Sequence, residues 1–146
     1  MNTTRKLVSA LAAFGAALSI SAAPASATPK PTHPKLAAEC RADLATYSRA
    51  AARWEPYGVY GMPLKTWIAD TNLFGRQLWQ IDLHLMAAKD GNAEQYLFPL
   101  VGRVHQYAAD LASSATTPTQ LAADLSSIFG GPGALGASTV CQAIAN

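Results

Sequence analysis

From Leu36 onward, apolar residues recur every three or four positions, and nowhere do they alternate with polar ones as a half-buried strand requires. Leu36, Cys40, Leu44, Tyr47, Ala51 and Trp54 form one stripe, with Glu39, Thr46, Arg49 and Arg53 opposite, which predicts a first helix over Pro34–Arg53. Glu55 and Pro56 end it, and Pro56–Pro63 (PYGVYGMP) reads as a loop. A second helix is expected from Pro63, a residue suited to a first helical turn, to Lys89. Its seam is Trp67, Thr71, Phe74, Leu78, Ile81, Leu85 and Ala88, and a second row, Trp79, Leu83 and Met86, runs beside it. The two rows span an apolar arc of about 200°, wider than one neighbour covers. The helix is therefore read as central, between two partners, or else as presenting the extra row as a docking face.

Asp90-Gly91-Asn92 closes that helix and opens the next. Gly91 is expected in a left-handed C-cap, and Asn92 with Gln95 resembles a capping box. So short a turn makes the two helices an antiparallel hairpin. In the third helix Leu97, Leu100, Val104, Ala108, Leu111 and Ala115 face inward, while Pro99 falls on the solvent side and is expected to kink the helix. Thr117-Pro118-Thr119-Gln120 starts a fourth, Pro118–Phe129, which buries Leu121, Leu125, Ile128 and Phe129. Gly130-Gly131-Pro132-Gly133 breaks the chain, and a short last helix over Ser138–Ala145 carries Cys141. The predicted fold is all-α: an up-and-down bundle of about four helices plus a short C-terminal helix.

The N-terminus has a different character. Arg5 and Lys6 precede an apolar run from Leu7 to Ala23, and Ala25-Ser26-Ala27 supplies the small residues of a cleavage site. Residues 1–27 are thus read as a signal peptide for general secretion. The alternative is a retained anchor, but the run is short and diluted for spanning ~30 Å of hydrocarbon. Residues 28–35 (TPKPTHPK) make a Pro-rich spacer, and residues 36–146 the bundle domain, with no transmembrane helix expected in the mature chain. Export changes the reading of Cys40 and Cys141. In an oxidising compartment these two have one way to pair, closing a loop of roughly 100 residues that stabilises the fold by about 4–5 kcal/mol. It also changes the charge. The chain has 11 basic and nine acidic residues; without Arg5 and Lys6 the count is nine against nine. A neutral domain with no basic stripe has no footprint for nucleic acid.

Few residues suggest chemistry. Gly131-Pro132-Gly133-Ala134-Leu135-Gly136 matches G-x-G-x-x-G, but it follows a helix rather than a strand and reads as a linker. Of the histidines, His33 lies in the spacer and is expected to be mobile. His84 and His105 sit on adjacent helices about 10 Å apart along the axis, too far to share a metal. Asp82 falls inside the apolar arc, where a carboxylate must be paired, hydrogen-bonded or protonated. Arg103 or Arg49 is its expected partner. No second carboxylate or nucleophile is seen to converge on it, so no catalytic constellation is read and no cofactor or metal is called for. The aromatics Trp54, Tyr57, Tyr60 and Trp67 bracket the PYGVYGMP loop. They suit a ligand cup or partner surface, with the alternative that they cap the open end of the core.

The functional expectation is an exported, non-enzymatic binding or interaction protein of the bacterial cell envelope or extracellular space. Its partner is an unknown protein or small apolar ligand, and its surface the aromatic loop with Trp79, Leu83 and Met86. The alternative is a carrier of lipid or haem in the aromatic end, with a tyrosine available as axial ligand.

Overall fold

A computed structural model describes residues 32–54 and 62–146. The signal-peptide segment, the start of the Pro-rich spacer, and Tyr57 and Tyr60 lie outside the described residues. Among the described residues five helices follow one another: α1 (Pro34–Arg53), α2 (Leu64–Ala87), α3 (Gly91–Ala112), α4 (Pro118–Phe129) and α5 (Ala137–Ala145). The domain is an all-helical bundle closed by a Cys40–Cys141 disulfide with its Cα atoms 5.5 Å apart.

Helix neighbours explain the apolar arc. The backbone of α2 packs on α1 to one side and on α3 to the other, so it is central as its two rows require. The bundle closes through α5, which packs on both α1 and α3 and buries Ala137, Val140, Cys141 and Ile144. The fourth helix is the peripheral one. It leans on α3 and α5, and only Ile128 of its expected core residues is fully buried; Phe129 remains 40% exposed. A twelve-residue helix with one strong anchor draws its stability from that packing rather than from itself.

The hairpin turn departs from expectation. The left-handed residue is Lys89 (φ 57°), not Gly91, and the amides of Lys89 and Asp90 turn back onto the carbonyls of Met86 and Leu85. This is a Schellman ending displaced two residues upstream. Asp90, rather than Asn92, then caps α3, its carboxylate accepting from the Ala93 N–H at 3.1 Å. The Asp90 side chain also accepts from His33, Nε2 to Oδ2 at 3.0 Å. At the start of α2, Pro63 is extended (ψ 141°) and stands just before the helix. The α4 start signal is formed as read: Thr117 Oγ1 accepts from the Gln120 amide, and left-handed Gly130 (φ 111°) ends the helix.

One glycine sets how closely the hairpin closes. A Cβ on Gly75 would lie 2.9 Å from the His105 ring and 3.3 Å from a Val104 methyl. A methyl there would have to push the exposed His105 ring aside, so α2 and α3 run close at this point.

Candidate functional site

The aromatic residues predicted as one surface separate into two environments. Trp67 is fully buried, its indole N–H donating to the Tyr107 hydroxyl at 3.0 Å. It stacks on Tyr47 (centroids 5.0 Å apart) and more loosely on half-buried Trp54 (6.2 Å). Tyr47 stacks in turn on Phe74 at 4.3 Å and shares a hydrogen bond with Thr71. Burial pushes both tyrosine hydroxyls above their ordinary range. Trp67 is therefore a core residue and not part of a partner surface. Both hydrogen-bonding tips are satisfied internally, which leaves this layer as packing. Tyr107 escaped the sequence reading, although Leu100, Val104, Tyr107 and Leu111 continue one spacing of three and four.

The second row of α2 stands on the outside. Leu83 is 38% exposed, Met86 37%, and Trp79 is half-buried. Across the hairpin, Phe98 is 58% exposed beside them. Trp79, Phe98, Val101, Gly102 and His105 line a cleft of about 280 Å³ between α2 and α3. Helical spacing places these residues: Trp79 lies one turn from Asp82 and Gly75, and Phe98, Val101, Gly102 and His105 share the edge of α3 that meets α2. Sequence reasoning found Trp79 but missed the α3 wall. Phe98 stood outside the inward stripe, beside Pro99, and nothing in one helix's pattern shows what its edge will meet.

Asp82 is fully buried, as its helical phase required, but its expected partner is absent. Among the described residues neither carboxylate oxygen has a hydrogen-bond donor. Arg103 donates instead to the Leu135 carbonyl at 2.7 Å, and Arg49 to the Thr46 hydroxyl. Arg103 points toward the linker before α5 because its side of α3 faces α4 and α5, away from α2. Burial, and then the nearby Glu94 carboxylate, raise the Asp82 carboxyl above its ordinary range. A pair of carboxylates also joins α3 to α4. Asp124, held by Gln120, is raised by burial and by Asp110, itself held by Gln106.

The histidines also resolve. His33 is anchored by its bond to Asp90 and by its backbone amide on the Ile144 carbonyl, not mobile. His105 lines the α2/α3 cleft, and His84 a groove on the opposite flank of α2 with Glu39, Asp43, Gln77 and Gln80. Among the described residues no group of three or more His, Cys, Asp or Glu side chains is placed to hold a metal ion. The G-x-G-x-x-G match is the turn between α4 and α5.

No family model, curated protein or solved structure matches the chain.

Proposed function

We propose that this chain is an exported, non-enzymatic binding protein of the cell envelope or extracellular space, and that it engages its partner through the α2/α3 face. One observation carries the reading. Exposed Phe98 and half-buried Trp79 line a cleft between α2 and α3, and Leu83 and Met86 stand exposed on the same row of α2 as Trp79, whereas the other large aromatics of α2 are sealed in the core. Large apolar side chains grouped on a surface cost free energy in water, and such patches mark sites of contact. The disulfide supports an oxidising compartment. No helix among the described residues is long and apolar enough to cross a membrane.

The carrier alternative shifts its location on this reading. The aromatic end was its sequence-based pocket, but Trp67, Tyr47 and Phe74 stack on one another there as core. The α2/α3 cleft is the better place for a small ligand.

The test is a photo-crosslinking residue placed at Leu83 in the protein made by its own host, with Gln80 on the polar face as the control position. A crosslinked species from position 83 alone, lost on Trp79→Ser with helicity intact, is the expected result. Equal crosslinking from both positions, or none from either, overturns the proposal. The intact mass of the same protein shows whether residues 1–27 have been removed.

A further inference from the structure

Two stripes make up the α2/α3 face. Arg76, Trp79, Leu83 and Met86 follow one another on α2 at spacings of three and four, and Glu94, Phe98, Gly102 and His105 do so on α3. Every one of them is exposed or half-buried. The short turn between the helices and the contact of Gly75 with the His105 ring run the stripes in opposite directions, so Arg76 stands level with His105, and Met86 with Glu94. The stripes therefore carry a cation at one end, a carboxylate at the other, and Trp79, Leu83 and Phe98 between. Arg76 and Glu94 take no part in an ion pair; the one among the described residues joins His33 to Asp90.

Gly102 is a second, independent sign that something closes on this face. Glycine inside a helix costs stability relative to alanine. At Gly75 the His105 ring accounts for it, but a Cβ on Gly102 would meet nothing within 4 Å. Nothing in the domain's own packing requires a glycine there. Its effect is to keep open the floor of the cleft, which at about 280 Å³ has room for a ring from outside.

A face positive at one end and negative at the other is complementary to itself turned end over end. We infer that a second copy of this chain covers the α2/α3 face through a two-fold axis, with Arg76 of each copy against Glu94 of the other. The axis then passes midway between those two residues, level with Pro99. Phe98 lies beside that level, so the two Phe98 rings meet near the axis and each reaches toward Val101 and Gly102 of the other copy. Charge pairing and ring insertion thus demand the same arrangement, and closed two-fold contacts are the commonest among oligomers. Net charge does not oppose it, because without Arg5 and Lys6 the chain balances nine basic against nine acidic residues. From Arg76 to Met86 the stripe is about 15 Å long. With side chains and a width of two helices the contact covers roughly 500 Å² per copy, near the lower limit for a specific interface, so a weak, micromolar dimer is expected. The inference rests on the α2/α3 face being the contact surface, and it names the partner.

Sedimentation velocity of the protein purified from its host, from about 5 to 500 μM, should show a reversible shift from one chain to two. Arg76→Glu or Glu94→Arg alone should weaken the dimer about tenfold, by setting like charges against each other at two symmetric places, and the two together should restore it. Gly102→Ala should weaken the dimer while raising the melting temperature of the dilute protein, which separates loss of contact from loss of fold. A photo-crosslink from position 83 should then have twice the mass of the chain. Dimerisation unaffected by these three substitutions places the contact on another surface and overturns the inference, as does a double charge variant no tighter than the single ones. If the protein stays one chain throughout that range, the inference falls. A position-83 crosslink to some other molecule would then still uphold the surface reading, and its absence would end both.

Discussion

The two flanks of α2 border hollows of similar size lined by different residue types. Toward α1 the groove is about 330 Å³ and is lined by Glu39, Ala42, Asp43, Gln77, Gln80, Ile81 and His84. Toward α3 the cleft is about 280 Å³ and is lined by Trp79, Phe98, Val101, Gly102 and His105. Water satisfies the first lining without help, whereas the second exposes rings that water solvates poorly. The flanks also differ in what holds them. On the α1 side it is α1 itself that is stapled to α5 by the disulfide, while on the other side α3 is joined to α2 through the Schellman turn, the Asp90 cap and the close approach at Gly75. Volume is thus a poor guide to function here; the groups left without partners are the better one.

Opening the disulfide is the largest way to disturb this contrast. Replacing Cys40 and Cys141 with serine should lower unfolding stability in urea by about 4–5 kcal/mol. Hydrogen exchange should rise first in α1 and α5, with α2 and α3 amides at the cleft protected longer. Uniform loss across all helices would show that the flanks are not separately held.

Two tryptophans on one helix sharpen it further. Trp67→Ala removes a buried, stacked and hydrogen-bonded ring and should cost about 3–5 kcal/mol. Trp79→Ser, on the cleft, should cost clearly less, about 1–2 kcal/mol, because its side chain packs against the core but stays partly exposed. Similar losses for both would place Trp79 in the core and end the case for the cleft.

Smaller still are the effects of the carboxylates, which have opposite signs. Asp82 is raised in the fold, so the native state binds its proton more tightly than the unfolded chain. Its contribution is favourable below the ordinary carboxyl range and turns against folding as pH rises through its native value. Asp82→Asn should therefore stabilise the domain at neutral pH by about 1 kcal/mol, with the gain shrinking in acid. Asp90 behaves the other way. Burial alone would raise it, but the Ala93 amide, the His33 ring and the Asn92 amide together hold it below its ordinary range. Its contribution is present above the unfolded value and is lost as pH falls through the native one. Asp90→Ala should cost about 1 kcal/mol at neutral pH, as the loss of a helix cap does, and less in acid. Thermal melts of the two variants across acid and neutral pH should cross in opposite directions.

Much of the helical layout was legible in the chain. The period of the apolar residues gave α1 and α4 their limits, because Pro34, Pro118, Thr117 and Gly130 act on their own few neighbours. The hairpin turn was misplaced by two residues. Asp90 there also bonds His33, 57 positions away, a contact no local pattern shows. The candidate site was legible by halves. Trp79, Leu83 and Met86 show as a surplus row on α2, but Phe98, Val101, Gly102 and His105 become a wall only once register sets α3 beside it.

The sequence by itself determined which segments are helical, which face of each turns inward and that two cysteines were available to join, since these depend on periodicity and short-range capping. Only the tertiary structure decided that Trp67 is core while Trp79 is rim, that Arg103 turns toward Leu135, and that Asp82 is left without a donor. Those outcomes depend on the rotation and register of one helix against another. Phase along a single helix tells how a residue is oriented, and the neighbouring helix determines what it meets.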